Sequence, residues 1–347
     1  MLAAVFHSPN VMTLEERLIP KKEKGVLMRI NACAVCSYDA RVFRNGHQKV
    51  KPPVILGHEL TGEILQSVRI HNGNIIPSGT RISILPLISC LNCKYCIKKQ
   101  YNLCINLREI GSTIDGGFAE YIKIPEEILK IGGIVTIPDN ITNEEAALLE
   151  PLACCMNGFS QMGGINCADQ VAIIGDGPIG LLHLQLSKLY GAKTIMIGKD
   201  AKRMKRARSV GADQTIFANE PKQAIAEALE YTDGLGSNAV IIATSNPAAL
   251  RLATAIASKN SIINIFAGMP KGTDISIDLN WLHYNQISLI GSFSSTPNML
   301  QQAAILASNK EIDLTQIISH RFPLGHIEKA IEVTEKYYGL RAIINSF

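Results

Sequence analysis

The chain has 347 residues, of which 47% are hydrophobic, 18% charged and only 5% aromatic, so it is long enough to form two domains with cores of their own. Its 34 basic and 30 acidic residues leave a net charge of +4, which is too balanced for capture of nucleic acid or an anionic membrane by charge. No stretch reaches the roughly 18 uninterrupted apolar residues of a membrane span, and the N-terminus lacks the apolar core of a signal peptide. We therefore predict a cytoplasmic protein that binds neither nucleic acid nor membrane.

Nine cysteines are present, an odd number that favours thiols acting as metal ligands or small hydrophobes over a disulfide framework. Cys33 and Cys36 come first, at a spacing that also occurs in thioredoxin-like redox pairs. His58 and Glu59 follow as neighbours. A thiolate, an imidazole and a carboxylate with one position left open describe a catalytic zinc site. Taken alone, His58 and Glu59 would more often be an ordinary surface or core pair than a pair of metal ligands.

The next cysteines form a cluster with the spacing Cys-x2-Cys-x2-Cys-x7-Cys: Cys90, Cys93, Cys96 and Cys104. Thiolates three residues apart converge in a tight turn, and a fourth from a returning loop completes a tetrahedron around one metal. A ferredoxin-like iron–sulfur run begins in the same way, but its fourth cysteine follows after three residues and precedes proline, whereas here Ile105 follows. Since four thiolates leave no open position, we predict a structural zinc lobe over about residues 88–106.

Glu150 supplies a second candidate carboxylate for the catalytic metal. Because Pro151 follows it, the same glutamate could instead cap a helix. Cys154 lies one helical turn later and could face the same way, although a buried structural thiol is the alternative.

A strand, turn, helix and second strand follow in quick succession. Val171–Ile174 is a continuous apolar run, an amphipathic helix extends to Tyr190, and Thr194–Ile197 is again apolar. Between the first strand and the helix, Gly-x-Gly-x-x-Gly allows backbone amides to approach a pyrophosphate. The alternative is a glycine-rich turn without a ligand. We predict a Rossmann-type parallel sheet whose coenzyme-binding turn includes Gly175, Gly177, Pro178, Ile179 and Gly180.

The end of the second strand bears on the coenzyme. NAD sites usually place an acidic residue there, whereas NADP sites have a small residue with cations nearby. Gly198, Lys199 and Arg203 look like a 2′-phosphate pocket, so we predict NADP in preference to NAD. Asp200 could instead bind the ribose or cap the next helix, and the basic run could be a solvated helix face.

Taken together, these motifs resemble the zinc-dependent medium-chain alcohol dehydrogenases, in particular their polyol, sugar-alcohol-phosphate and threonine dehydrogenase branch. The resemblance covers nearly the whole chain. Its landmarks are the following: Cys36 with Asp39, Gly57-His58-Glu59, the four-cysteine lobe, Asp115–Tyr121, Glu150-Pro151, the Gly175–Gly180 turn and Gly339-Leu340-Arg341.

This resemblance implies an α/β protein with two domains. Residues 1–150 and 291–347 would form a GroES-like, mainly β catalytic domain, and residues 151–290 a doubly wound Rossmann domain with a parallel sheet. Two zinc ions per chain are implied, one structural and one catalytic. The catalytic ion would be held by Cys36, His58 and a carboxylate, either Glu59 or Glu150, and Arg341 would reach the coenzyme pyrophosphate.

The chain departs from the family at the proton relay. A serine or threonine normally stands two residues after the zinc cysteine, and many members have a histidine slightly later. Here Tyr38 and Arg41 occupy those places. Tyr38 could carry the proton, with Ser37 as an adjacent substitute. Alternatively, Tyr38 shapes the pocket while water carries the proton.

The implied activity is hydride transfer between a secondary alcohol of a small-molecule substrate and NAD(P), with zinc supplying Lewis acidity. A polyol, cyclitol or sugar is favoured, phosphorylated or not. Arg41, Arg44, His47 and Lys49 could meet a phosphate or be solvated charges. Oxidation of L-threonine is an alternative, as is a non-catalytic coenzyme-binding protein of the same fold. The family is usually dimeric or tetrameric, so we predict a homodimer or homotetramer.

Overall fold

A computed structural model describes residues 1–21 and 24–347. The chain divides into two compact units. Unit 1 comprises Met1–Cys154 and Ser294–Phe347, and unit 2 comprises Cys155–Phe293. The divisions fall a few residues after the boundaries expected at 150 and 290.

The strands are, in chain order, β1 (Leu2–Ser8), β2 (Val11–Glu16), β3 (Gly25–Val35), β4 (Val54–Ile55), β5 (Glu59–Ile64), β6 (Val68–Arg69), β7 (Ile75–Ile76), β8 (Arg81–Ile84), β9 (Leu87–Ile88), β10 (Arg108–Glu109), β11 (Tyr121–Pro125), β12 (Ile134–Thr136), β13 (Gln170–Ile174), β14 (Lys193–Gly198), β15 (Gln214–Phe217), β16 (Ser237–Ile242), β17 (Ala257–Ile265), β18 (Ser288–Gly291), β19 (Ile318–Pro323) and β20 (Arg341–Ser346).

The α-helices are α1 (Ser37–Asn45), α2 (Lys94–Ile97), α3 (Glu126–Lys130), α4 (Asn143–Ala147), α5 (Leu149–Gln161), α6 (Pro178–Leu189), α7 (Ala201–Val210), α8 (Pro221–Tyr231), α9 (Ala248–Ile256), α10 (Leu279–Asn285), α11 (Pro297–Ser308) and α12 (Ile327–Glu335). Short 3₁₀ helices span Tyr101–Leu103, Leu314–Ile317 and Leu324–His326. Within the two described ranges, no helix combines the length and apolar character needed to cross a membrane.

Unit 1 is built around a mainly antiparallel sheet with the order β12–β8–β5–β3–β20–β19, and β11 also pairs with β3. Its central strands are buried over most of their length, and their apolar side chains join one core, which includes Met28, Leu60, Ile64, Ile82, Phe118 and Ile344. The register places Ala34 opposite Glu59 and Val35 opposite Ala342. The end of β3 therefore lies between the beginnings of β5 and β20.

Unit 2 is a parallel sheet with the order β15–β14–β13–β16–β17–β18. The three predicted elements are confirmed as β13, α6 and β14, which differ from the expected bounds by only a residue or so at their ends. After their polar first residues, β13, β14 and β16 continue as buried, mainly apolar runs, as is typical of parallel strands covered by helices. The predicted fold class, a mainly β domain plus a doubly wound parallel sheet, is confirmed.

His183 lies fully buried on α6 in unit 2. Its ring stacks on Phe159 at a centroid distance of 5.5 Å and meets Phe266 edge-on at 4.6 Å. Neither ring nitrogen has a hydrogen-bond partner among the described residues. Burial lowers the pKa of His183 to about 3, so the imidazole stays neutral in the folded protein.

This burial predicts a loss of stability in acid. Below the ordinary histidine pKa, His183 binds a proton in the unfolded chain but not in the folded protein. The free energy of unfolding therefore falls as the pH drops from 6.5 towards 3. Between pH 7.5 and 5 the contribution is about 2 kcal/mol. We expect His183→Leu to remove it, seen as a smaller pH dependence of the urea unfolding free energy than in the wild type. Equal pH dependence in both proteins would contradict the prediction.

Candidate metal centres and dinucleotide-binding turn

Cys36, His58 and Glu59 converge at one end of the unit 1 sheet. Cys36 directly follows β3 and is the N-cap of α1, whereas His58 directly precedes β5, whose first residue is Glu59. The antiparallel pairing of β3 with β5 brings these ends together. Their candidate ligand atoms all lie within 4.8 Å of one another. A sulfur, an imidazole nitrogen and a carboxylate oxygen at such distances form a donor set suited to zinc.

Gly57 allows the chain to turn before His58. It has φ +91°, and a side chain there would meet Phe118 at 2.8 Å and the Cys33 sulfur at 2.9 Å. Only glycine satisfies both the left-handed backbone and the close packing. Cys33 is accordingly a buried core thiol in contact range of Gly57.

Asp39 contacts the backbone and side chains that carry the cluster. It is fully buried, and its carboxylate accepts the Cys36 N–H at 2.8 Å and the Gly57 N–H at 3.2 Å. The same group lies 3.3 Å from His58 Nδ1. This contact leaves His58 Nε2 as the nitrogen available to a metal, the usual arrangement of a carboxylate behind a histidine ligand.

Arg341 is buried against the same cluster. Arg341 is only 3% exposed, and its guanidinium donates through Nη2 to Glu59 Oε1, because β20 pairs with β3 directly beyond Arg341. Arg341 is therefore no surface charge; its contact with a coenzyme pyrophosphate stays a prediction. The other oxygen, Glu59 Oε2, is buried without a hydrogen-bond partner in the described part of the chain. A buried carboxylate oxygen left in this way suits a bound cation.

The charges of the cluster are strongly coupled. Burial raises the pKa of Cys36, but the Arg341 guanidinium and a hydrogen bond from His58 outweigh it and lower that pKa to about 6. Burial likewise opposes protonation of His58, yet the Asp39 carboxylate raises its pKa well above the ordinary value. Burial raises the pKa of Glu59 well above normal despite the nearby Arg341. Cys36 is thus the group predisposed to be a thiolate.

Glu150 lies outside the three-residue cluster. It is buried in the first turn of α5, and burial raises its pKa. Cys154, one turn later, donates its thiol to Glu150 Oε1 at 3.2 Å. The half-buried Cys154 therefore faces the same way as Glu150, which is one of the two arrangements predicted for it. The geometry groups Glu59, and not Glu150, with Cys36 and His58.

Tyr38 lies beside His58, with the two rings edge to face at 5.7 Å. Its hydroxyl is 2.9 Å from Ser112 Oγ and 3.5 Å from His47 Nδ1. Burial raises the pKa of the Tyr38 phenol. Ser37 is exposed, so the phenol is the better placed of the two proposed relay groups.

Two of the four candidate phosphate-binding residues, Arg44 and Lys49, contact acidic side chains. Arg44 donates to Glu335 at 2.7 and 2.5 Å and to Asn10 at 2.5 Å, while Lys49 lies 3.7 Å from Glu109. Arg41 is exposed. No clamp for a substrate phosphate is assembled from these residues.

The four-cysteine lobe lies between two short antiparallel strands, β9 and β10, in which Ile88 pairs with Arg108. The four sulfurs lie within 4.8 Å of one another; for example, Cys93 and Cys96 are 3.5 Å apart. Backbone N–H groups at the start of α2 and beyond, led by that of Cys96, lower the pKa of Cys93 to about 6. Closed sulfur coordination of this kind is typical of structural zinc.

The glycine-rich turn lies between β13 and α6. Gly175 has φ +122°, and a side chain on Gly180 would approach the Gly175 oxygen to 1.8 Å, so the third glycine lets helix and strand pack closely. A side chain on Gly177, the N-cap of α6, would meet nothing within 4 Å. Pro178 begins the helix, and Ile179 and Gly180 continue it. This open N-terminus fits a pyrophosphate.

The residues predicted to form a 2′-phosphate pocket lie around the carboxylate of Asp176 at the end of β14. Gly198 makes room for Asp176, whose Oδ2 would lie 2.4 Å from a side chain placed there. Arg203 is buried, with Nη1 4.0 Å from Asp176 Oδ1. Asp200 is the N-cap of α7 and accepts the Arg203 N–H at 2.9 Å. Gly198 and Arg203 therefore face a carboxylate of the chain itself, while their contact with a 2′-phosphate and the preference for NADP stay predictions.

Three residues of these sites were given no role from sequence: Asp39, Ser112 and Asp176. Asp39 stands at the third position of a helix that follows Cys36, where an acidic residue commonly reaches back to the N-cap, so a local signal existed. Asp176 lies inside the glycine motif, at a position where the motif accepts any residue, so the sequence does not indicate its contacts. Ser112 is 74 residues from Tyr38 in the sequence, and only the folded chain brings the two hydroxyls into contact.

The Asp39 contacts predict weaker metal binding when its charge is removed. Asp39→Asn should lower zinc affinity of the Cys36 cluster about 10- to 100-fold, because the amide neither orients nor polarises His58 as the carboxylate does. Competition with a chromogenic chelator measures this affinity. Asp139→Asn, at a fully exposed site of the same unit, is the control and should bind zinc normally; an equal loss in both variants would contradict the prediction.

Known families match both parts of the chain. Residues 22–136 match the alcohol dehydrogenase GroES-like domain, and residues 178–309 match the zinc-binding dehydrogenase family. D-arabitol-phosphate dehydrogenase from Enterococcus avium is 30% identical over 328 residues, covering 92% of this chain and 90% of the relative. Sorbitol dehydrogenase from Halalkalibacterium halodurans is 28% identical, with 97% and 96% covered.

A solved structure of similar shape is a zinc-binding dehydrogenase from Sinorhizobium meliloti bound to NADP. Its TM-score is 0.89 at 30% identity, and the match covers 99% of this chain and 98% of the other. A GroES-like domain, a dinucleotide-binding sheet and two metal-ligand clusters define a zinc-type oxidoreductase. The chain belongs to the zinc-dependent alcohol dehydrogenase family, and the predicted resemblance is confirmed.

Proposed function

We propose that the protein transfers hydride between a secondary alcohol of a polyol, cyclitol or sugar and a nicotinamide coenzyme, at a catalytic zinc held by Cys36, His58 and Glu59. The observation that carries this proposal is the buried convergence of these three ligands, with Glu59 Oε2 left without a partner among the described residues. Support for the substrate class comes from relatives named for D-arabitol phosphate and sorbitol.

Zinc bound there would supply Lewis acidity, which lowers the pKa of a substrate hydroxyl. The chain's own groups would do the rest. Asp39 holds His58, and Arg341 holds Glu59 and favours the Cys36 thiolate. Glu150 is a buried carboxylate near enough to influence the pKa of Glu59, and it would serve as the alternative ligand.

Proton removal is assigned to Tyr38. Its hydroxyl oxygen would accept the substrate proton while its own proton passes to His47 Nδ1, and Ser112 Oγ would hold the phenol in position. His47 is exposed, so this route ends at solvent. Exposed Ser37 would be the lesser alternative.

Unit 1 would be the catalytic domain and unit 2 the coenzyme-binding domain. A second, structural zinc would be held by Cys90, Cys93, Cys96 and Cys104, giving two ions per chain. The turn from Gly175 to Gly180 would bind the coenzyme pyrophosphate, with Lys199 exposed near the end of β14.

We also propose a cytoplasmic homodimer or homotetramer. In the described part of the chain, β18 pairs with β17 on one side only, and Leu289 within it is 36% exposed. A sheet edge of this kind is commonly covered in native proteins, and a second copy would cover it. Light scattering coupled to gel filtration measures the assembly.

The test of the activity is a panel of initial rates with polyols, sugar phosphates, cyclitols and L-threonine, each with NAD and with NADP. Zinc-dependent turnover of a polyol-type substrate is expected. Turnover of threonine alone would support the amino-alcohol alternative, and coenzyme binding without metal-dependent turnover of any substrate would support a non-catalytic protein.

A further inference from the structure

The carboxylate of Asp176 lies at the end of β14, although Asp176 itself belongs to the glycine-rich turn after β13. Its Oδ2 accepts two backbone hydrogen bonds, from the Lys199 N–H at 2.7 Å and from the Asp200 N–H at 2.8 Å. These amides precede α7, where the N-terminus of the helix favours negative charge. The chain therefore places its own anion at this position.

Neighbouring residues on two sides hold the Asp176 carboxylate in this position. Gly198 has no side chain, and one added to it would lie 2.4 Å from Asp176 Oδ2. Arg203 lies on the other side, with Nη1 4.0 Å from Oδ1. The Asp176 side chain is only 14% exposed, so its position is set by packing as well as by hydrogen bonds.

The end of the second strand is where a dinucleotide-binding sheet distinguishes NAD from NADP. An acidic group there accepts hydrogen bonds from the ribose hydroxyls of NAD, whereas NADP needs donors and cations for its 2′-phosphate. In this chain both amides already donate to Asp176, and the neighbouring Arg203 faces the same carboxylate. A 2′-phosphate would meet a negative charge where it needs donors.

We propose that Asp176 is the residue that makes this coenzyme site select NAD over NADP. The acidic group that usually comes from the end of the second strand comes here from the glycine-rich turn, while Asp200 serves as the cap of α7. This inference rests on the proposed coenzyme-binding function of unit 2.

The test is calorimetric titration of the zinc-loaded full-length protein with NADH and NADPH, separately, at about 0.1 M salt, where surface charges are partly screened. We expect the wild type to bind NADPH about 100-fold more weakly than NADH, since like charges would face each other. Asp176→Asn keeps an acceptor oxygen but removes the charge, and Asp176→Ala removes both. The ratio of the two dissociation constants should fall at least about tenfold in each variant.

Glu230→Gln is the matched control. Glu230 is an exposed glutamate in the last turn of α8, so the variant changes the charge of the same unit equally, away from the strand ends. Its ratio should stay within about twofold of the wild type, as for a screened surface charge. Thermal unfolding checks that both Asp176 variants are folded, and the isosteric asparagine serves if the alanine variant is not.

Two results would overturn the proposal: NADPH bound by the wild type as tightly as NADH, or an unchanged ratio in folded Asp176→Asn. Failure of the wild type to bind either coenzyme would overturn both this inference and the proposed function. NADH selectivity lost on Asp176 replacement, together with silence across the substrate panel, would support the inference and contradict only the proposed reaction.

Discussion

We expect His58→Ala to abolish turnover, with a fall of at least about 1000-fold in kcat, because removal of one of three clustered ligands removes Lewis-acid stabilisation worth several kcal/mol. The loss should be accompanied by one fewer zinc ion per chain. Affinity for the reduced coenzyme should remain, since the glycine-rich turn lies in unit 2 and His58 in unit 1. Steady-state rates, metal analysis by mass spectrometry and coenzyme titration measure the three quantities.

His71→Ala is the matched control for this change. His71 lies in unit 1 and is exposed, and it is not a member of either metal-ligand cluster found among the described residues. It should keep wild-type turnover and zinc content. An active His58→Ala enzyme would exclude the proposed zinc mechanism.

Cys93→Ser should have the largest effect on stability. Cys93 caps α2 and is one of four sulfurs within 4.8 Å of each other. Loss of one thiolate should release the structural zinc, and because metal binding at such a site contributes directly to folding, at least about 3 kcal/mol of stability should be lost. At this chain length the melting temperature should then fall by roughly 4 °C. Calorimetry with zinc analysis measures both.

Cys167→Ser is the control, because Cys167 is exposed in unit 2 and belongs to neither cluster. Its zinc content and melting temperature should match the wild type. If Cys93→Ser folded with unchanged stability and zinc content, the four sulfurs would not form a metal site. A fall of more than one zinc per chain would show that the two metal centres depend on each other.

Several features could be predicted because their information is local. Cys90 to Cys104 span fifteen consecutive positions, so their spacing alone indicates that the sulfurs can meet, and the structure places them together. The run from Val171 to Ile197 likewise contains its strands, turn and helix in sequence, and β13, α6 and β14 follow that pattern. Apolar periodicity and glycine positions determine such units without distant partners.

The resemblance to a family identified Cys36, His58 and Glu59 as candidate ligands, but their arrangement depends on strand register. Ala34 must lie opposite Glu59, and Ala342 opposite Val35, before Arg341 can reach Glu59 across 282 residues. A single sequence records no such pairing, because each strand accepts several registers of similar local energy. For the same reason the sequence identifies Tyr38 as a candidate proton relay but gives no sign of Ser112, which contacts it only in the folded chain.

The glycine-rich turn and the end of β14 show the same difference between local sequence and tertiary structure. By residue type, Gly198, Lys199 and Arg203 favour a phosphate pocket, which stays a prediction. Folding turns the Asp176 carboxylate towards the Lys199 and Asp200 amides and buries Arg203 beside it. The residues that form a turn are set by local backbone preferences, and these are readable in order along the chain. Which charge finally occupies a strand end depends on side-chain packing between two neighbouring strands, and that is settled only when the sheet has formed.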